Sequence, residues 1–422
     1  MSFFSMPSPI CPSNILILGN HSCSNRGDAA ILRGLVEHIT RTYPTSKITA
    51  TTRYTQAAHF ILPETTFIND SLFKAEFLGN RVSRFIKNRL FKYLGVSALK
   101  DGGFKFAHNE HKKFAASLEQ YDLIIQVGGS FFVDLYGSKQ YEAPLIAQSK
   151  KIPYIMIGHS VGPFSTTESQ SLARICFDKT PLLLRESVSL KHCDTLALPN
   201  PHIIQSADTA WLVSPSRVSL PLEIESFITQ PTIALTLRDL RPFDVRLGIS
   251  QEEFERQIIQ LCEHLNQRGY QIIFASTCTG LDGYHKDDRM VAQKIARQLK
   301  NPKTAYVVMD ELDDVQLGSL LGQCVLTIGT RLHSAIISKN FGTPAFAIAY
   351  EHKSQGILNQ MGLSMYSIDI HQVASEATIN VIDRTLDDIE NAKKTVAKAV
   401  LEEKKLAAHS INTTIASFFG HE

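Results

Sequence analysis

The chain has 422 residues, more than one hydrophobic core usually supports, so two domains are expected. Its 44% hydrophobic and 20% charged residues are ordinary for a globular protein. A net charge of +2 gives no overall field for nucleic acid or an anionic membrane, so any anion site has to be built locally.

The opening "MSFFSMPSPICPSN" has no basic stretch and is interrupted by Pro7, Pro9 and Pro12, a poor secretory signal. With no apolar run of membrane-spanning length, a cytoplasmic location is expected. Residues 15–18 form an apolar run of the kind a buried parallel strand has. The polar loop "NHSCSNRGD" follows, and then helical periodicity through Ile31, Leu32, Leu35, Val36 and Ile39. "KITATTR" reads as a second strand. Residues 55–118 lose this rhythm and read as a helical insertion, with a weak helical pattern over 72–95. The insertion's Arg81, Arg84, Lys87, Arg89, Lys92 and Lys100 fit a solvated helical surface, or one that meets the acceptor or the inner face of a membrane.

The alternation resumes with "DLIIQVGGSFF", "KIPYIMIGHSVGPF", "TPLLLRESVS" and "PHIIQSADTAWL". Three prolines within 214–231 mark an interdomain linker. Beyond it come "TIALTLR", a helix over 251–268, "YQIIFASTCTG", a helix over 288–299, "TAYVVM", "CVLTIGTRLHSAIISKN" and "TPAFAIAYEHK". The expected architecture is α/β, with two Rossmann-like parallel-sheet domains facing a cleft. Residues 1–220 form the first domain, 221–372 the second, and 373–422 a helical tail. The seven cysteines are scattered without a CxxC pair and read as reduced core residues.

Several strand-end loops combine small residues with one polar group. Asn25 and Asp28 precede the first helix, where Asp28 either caps it or lies where free N–H groups meet an anion or sugar. The GxGxxG spacing of a dinucleotide fold is absent. Gly128 and Gly129 permit a tight turn or close approach of the backbone to a ligand, with Asp134 downstream. The G-x-S-x-G pattern at 158–162 is followed at once by Pro163, which does not suit a nucleophile elbow. Arg185 ends an apolar strand, either a planar fork for carboxylate or phosphate or half of a structural ion pair with Glu186 or a neighbour. Asp208 follows the next strand, able to orient a sugar hydroxyl or cap a short helix. In "TIGTRLHSAIISKN", Arg331 and His333 lie at the start of a helix, and Lys353 follows one strand later. Adjacent parallel strands would bring these cations into one cleft, suited to a small ligand bearing carboxylate and phosphate together.

In order along the chain, "NRGDAAIL", "QVGGSFFVDLYG", "IGHSVGPF", "LRESVS", "DTAWLV" and "GTRLHSAIIS…YEHKSQGI" resemble the polysaccharide pyruvyl transferase family, its colanic acid exopolysaccharide branch above all. The resemblance runs from about residue 14 to 370. It implies a GT-B-like architecture and transfer of pyruvate from phosphoenolpyruvate to a sugar, forming a cyclic ketal and releasing phosphate. It also implies a critical role for His333, with Arg185 and Lys353 associated with the donor.

His333 and Arg185 are therefore the catalytic candidates, with His333 as general acid. Donor-binding positions are expected at Lys353, Arg331, Leu332, Gly128 and Gly129, with Arg331 alternatively bracing its loop. Asn25, Asp28, Asp134 and Asp208 are candidates for acceptor binding or for the base. Neither a cofactor nor a metal is expected. The partners are phosphoenolpyruvate and a saccharide acceptor, free or lipid-linked. A nucleotide-sugar glycosyltransferase and a non-catalytic assembly protein are the competing readings.

Overall fold

The structure is a computed structural model that describes residues 11–76, 109–199, 202–242, 244–281, 286–349 and 352–420. The first sheet is built from β1 (Asn14–Leu18), β2 (Lys47–Thr52), β3 (Thr66–Asn69), β4 (Leu123–Gln126), β5 (Gly129–Phe132), β6 (Tyr154–Val161), β7 (Leu182–Leu184) and β8 (Ile203–Gln205). The second holds β9 (Thr232–Thr236), β10 (Gln271–Ala275), β11 (Ala305–Val307), β12 (Leu326–Gly329), β13 (Ala345–Ala349) and β14 (Ser367–Asp369). All these strand pairings are parallel. The inner strands β1, β4, β6, β9 and β12 are buried along nearly their whole length, which is why most of them carry short apolar runs.

The orders are β3-β2-β1-β4-β6-β7-β8 and β11-β10-β9-β12-β13-β14, so each sheet starts in its middle and is wound outward in both directions. Such an arrangement opens a crevice at the carboxyl ends where the order reverses, between β1 and β4 in one sheet and between β9 and β12 in the other. The chain is thus a two-domain, GT-B-like α/β protein.

Two strands depart from expectation. β3 lies inside the stretch read as a helical insertion, yet it pairs with β2 and extends the first sheet. The basic cluster at 81–100 lies outside the described residues. "DLIIQVGGSFF" forms two short strands, β4 pairing with the start of β6 and β5 with its end.

The halves pack closely. Arg26, fully buried, bonds the Leu312 carbonyl, Thr279 and Glu311. Arg33 grips Asp314 with two bonds of 2.8 Å. The tail helix Ile389–Phe419 packs against both the 209–212 turn and the helix Leu332–Asn340. No helix among the described residues is long and apolar enough to cross a membrane.

Candidate active site

The loops after β1, β4, β7, β8 and β12 converge around one carboxylate. Asp208, fully buried, follows β8 and accepts hydrogen bonds on both oxygens. Its Oδ1 takes the Ala210 amide at 2.9 Å, capping the 209–212 turn. Its Oδ2 takes Arg185 Nη1 at 2.5 Å and lies 3.3 Å from His333 Nε2. Arg185 comes from the end of β7 in the first domain and His333 from the start of the Leu332–Asn340 helix in the second. The two catalytic candidates therefore share a single oxygen atom. Burial pushes the Asp208 carboxyl up, but the Arg185 guanidinium and the His333 contact outweigh it and hold Asp208 below the usual carboxylate range. Asp208 is a permanent anion that orients the other two, and so does not suit the role of base.

Arg185 is set by its neighbours. Its Nε donates to Ser160 and its Nη2 to Ser130, each at 2.9 Å. Ser160, the serine of the G-x-S-x-G pattern, lies inside β6, not at a strand-to-helix turn. Its hydroxyl holds an arginine. With one bond from each nitrogen made, the guanidinium keeps two further N–H donors. Glu186 turns away from Arg185 to cap the Ser187–Asp194 helix. Beneath this group, His159 is fully buried with Nε2 at 3.2 Å from the Gln126 carbonyl. Burial, helped by Arg185, pushes it down to about 3, so it is a neutral packing element.

The His333 ring faces the first helix, Arg26–Thr42. A Cβ on Gly27 would come within 2.6 Å of His333 Cγ and Nδ1, so only glycine admits the ring. That helix is capped by Asn25, whose side chain accepts the Gly27 amide at 3.0 Å, and not by Asp28. Asp28 stands in the first turn, partly accessible yet densely surrounded. Burial pushes its carboxyl up, opposed by His333, Arg185 and Arg331. Two carboxylates thus face the same cations in opposite states, one held low and one raised.

The remaining candidates are placed as follows. Arg331 gives a two-pronged bond to buried Asp288, both distances 2.8 Å, which fixes the loop leading into His333. That is the bracing alternative. Leu332 is the first residue of the helix and packs against the core. Asp134 accepts the Ser165 amide at 2.7 Å, tying the loop after β5 to that after β6 and not joining the Asp208 group.

Gly128 and Gly129, read as a tight turn or as a close approach of the backbone to a ligand, have protein where a Cβ would stand. A Cβ on Gly128 would lie 2.5 Å from the Gly158 carbonyl, and one on Gly129 2.3 Å from the Phe131 ring. Lys353 lies in the first turn of the His352–Gln360 helix, after β13. Three residues on, Gly356 sits 3.2 Å, measured from its would-be Cβ, from the Glu186 carboxylate, which brings that turn beside the end of β7 and Arg185. Among the described residues no group of three or more His, Cys, Asp or Glu is arranged to hold a metal.

Ser130, Asp288 and Glu403 are the residues that sequence reasoning missed, and Ser160 was weighed only as a nucleophile. Glu403, on the tail helix, is buried with both oxygens 3.3 Å from Gln360 Nε2, and that amide also reaches the Ser206 carbonyl two residues before Asp208. Burial pushes Glu403 up to about 7, and Asp208 adds to the effect.

Comparison with known proteins gives the family and the fold. The model of the family described as "Polysaccharide pyruvyl transferase" matches residues 25–352. The amylovoran biosynthesis protein AmsJ of Erwinia amylovora is 41% identical over 417 residues, 96% of this chain and 100% of that protein. Among solved structures, the UDP-GlcNAc 2-epimerase of Neisseria meningitidis superposes with a TM-score of 0.58 at 12% identity, over 96% of this chain and 100% of the other. The spinosyn rhamnosyltransferase SpnG superposes with a TM-score of 0.53 at 11% identity, over 95% and 99%. At such identities the likeness is one of fold.

Proposed function

The chain belongs to the polysaccharide pyruvyl transferase family, and from that premise we propose that it moves pyruvate from phosphoenolpyruvate onto two hydroxyls of one sugar in an exopolysaccharide repeat unit. The product is a cyclic ketal, with phosphate released. The observation that carries this reading is the Asp208 junction, where a carboxylate of one domain holds an arginine and, across the cleft, a histidine.

The chemistry balances on these groups. His333 protonates C3 of phosphoenolpyruvate, which leaves C2 with oxocarbenium character. One sugar hydroxyl adds to C2 and loses its proton to a base. The second hydroxyl then forms its bond to C2 as the C2–O bond to phosphate breaks, and phosphate leaves with that hydroxyl's proton. Asp28 suits the base, because its raised carboxyl accepts a proton more readily than an ordinary one and it faces His333. Arg185, with two unused donors, and Lys353, one strand beyond His333, suit the donor's carboxylate and phosphate. No cofactor enters this scheme.

The acceptor is read as a colanic-acid-like repeat unit, free or lipid-linked. The full-length relative named for amylovoran supplies the second polymer to compare. The test incubates the purified protein with phosphoenolpyruvate and lipid-linked oligosaccharides of each polymer, following phosphate release and the mass of the sugar product. Acceptor-dependent phosphate release with a ketal-bearing product supports the reading. Transfer from a UDP- or GDP-sugar, with phosphoenolpyruvate inert, would replace it with a glycosyltransferase.

A further inference from the structure

The "GGSFF" run is only half used by the site described above. Ser130 turns toward Arg185, while its neighbour Phe131 lies over Gly129, whose φ of +155° and missing Cβ let the ring settle there. The Phe131 ring is 4.1 Å from the His21 ring and 5.9 Å from Tyr136, which is 46% exposed. The His21 carbonyl accepts the Arg53 amide at 3.3 Å, and the Arg53 guanidinium stands 4.4 Å over Phe73. The loop after β1, β5 itself and the turn after it thus place a row of rings, His21, Phe131 and Tyr136, at the carboxyl end of the first sheet, with Arg53 from the end of β2 beside them. Burial, with Arg53 beside it, pushes His21 down to about 3, so its ring is neutral at any working pH.

This row adjoins the reaction group along the chain on two sides. Phe131 is one residue from Ser130, which holds Arg185, and His21 lies in the loop that leads from β1 into the helix carrying Asp28. Phosphoenolpyruvate is almost all charge and has no use for neutral rings. A pyranose is the opposite, with C–H faces that favour the electron-rich face of an aromatic ring and an edge of hydroxyls. Resting on the pyruvyl-transfer reading, we propose that the His21–Phe131–Tyr136 shelf is the acceptor subsite. It stacks a pyranose ring of the saccharide so that the hydroxyl pair faces Asp28, Arg185 and His333.

The test uses the full-length protein with Tyr136→Ala, Tyr136→Phe and Phe131→Leu. Phosphate release is measured against lipid-linked oligosaccharide concentration, and phosphoenolpyruvate affinity is measured by calorimetry. Tyr136→Ala and Phe131→Leu are expected to raise the acceptor KM about tenfold, in line with the loss of one stacked ring. Phosphoenolpyruvate affinity should stay within about twofold, and Tyr136→Phe should restore the acceptor KM. An unchanged acceptor KM in both variants overturns the proposal, as does a fall in donor affinity that tracks it. If the unaltered protein neither binds phosphoenolpyruvate nor releases phosphate, the pyruvyl-transfer reading fails by itself. The shelf is then judged by saturation-transfer NMR with methyl β-galactopyranoside and methyl β-glucopyranoside. Saturation lost in Tyr136→Ala keeps it as a sugar site, and no saturation by the unaltered protein removes it.

Discussion

Among the described residues two charged junctions join the halves of this molecule, and they differ in what they leave over. At the first, Arg26 gives its nitrogens to the Ser24 and Leu312 carbonyls, Thr279 and Glu311, while Arg33 closes on Asp314 and the Ile61 carbonyl. At the second, Arg185 makes one bond per nitrogen and His333 keeps 17% of its side chain exposed beside Asp208. The first is a brace, while the second leaves donors and a titratable ring facing the cleft. Residue type alone does not distinguish them, because arginine and carboxylate build both.

The sharpest division between the two junctions comes from His333. His333→Gln keeps the ring's approximate volume and removes the acid, so turnover should fall on the order of 100- to 10,000-fold while phosphoenolpyruvate still binds. Steady-state phosphate release and calorimetry check the two halves of that statement. Next in size is Gly27→Ala. Its methyl would need the space 2.6 Å from the His333 ring, and a displacement of about 1 Å costs roughly 100-fold in rate. The variant should fold, since Ala suits a helix, and circular dichroism with activity checks it.

How far the sequence foretold this depends on burial. The central strands were legible because both faces are covered and each holds a short apolar run at its centre. β3 was not, because only Phe67 of "TFIN" is buried and an edge strand needs no apolar run. Arg331 and His333 were singled out together, yet what separates them is Asp288, 43 residues away, which takes up Arg331 in a two-pronged pair. Arg185 was read either as a fork for a ligand anion or as half of a structural ion pair, and the carboxylate it holds is the protein's own Asp208. Arg185→Ala therefore does more than remove a donor contact, because it also strands a buried carboxylate. Ser130 and Ser160 carry no chemical signal of their own and acquire meaning only from the arginine between them.

The brace should respond in stability and not in chemistry. Arg33→Ala leaves buried Asp314 without its partner, which costs about 3–5 kcal/mol. Chemical denaturation should register that loss, while kcat of the folded fraction stays within about twofold, since no group at Asp208 is touched. A drop in kcat as large as that of Gly27→Ala would mean that the two junctions are one device.

The smallest effect concerns the tail behind the second junction. Glu403 has a folded pKa raised to about 7 against an ordinary value of 4.5, so the native state holds its proton more tightly than the unfolded chain. Stability from this group is full below pH 4.5 and declines as pH rises through about 7. Glu403→Gln should flatten that part of the profile and add on the order of 2–3 kcal/mol at pH 8 relative to the parent. Denaturation midpoints at pH 5 and pH 8 check the sign.

The central claim is that one oxygen of Asp208 gathers a donor-holding arginine and a proton-donating histidine from opposite domains. Phosphorus NMR of phosphoenolpyruvate with protein and lipid-linked acceptor tests it directly, because binding and release appear in the same spectrum. With the unaltered protein, the donor resonance should decay into inorganic phosphate. With His333→Gln, it should shift and broaden on binding yet persist. A His333→Gln sample that releases phosphate at the parent rate, or that leaves the donor resonance sharp and unshifted, would contradict the assignment of His333 as the acid at this junction.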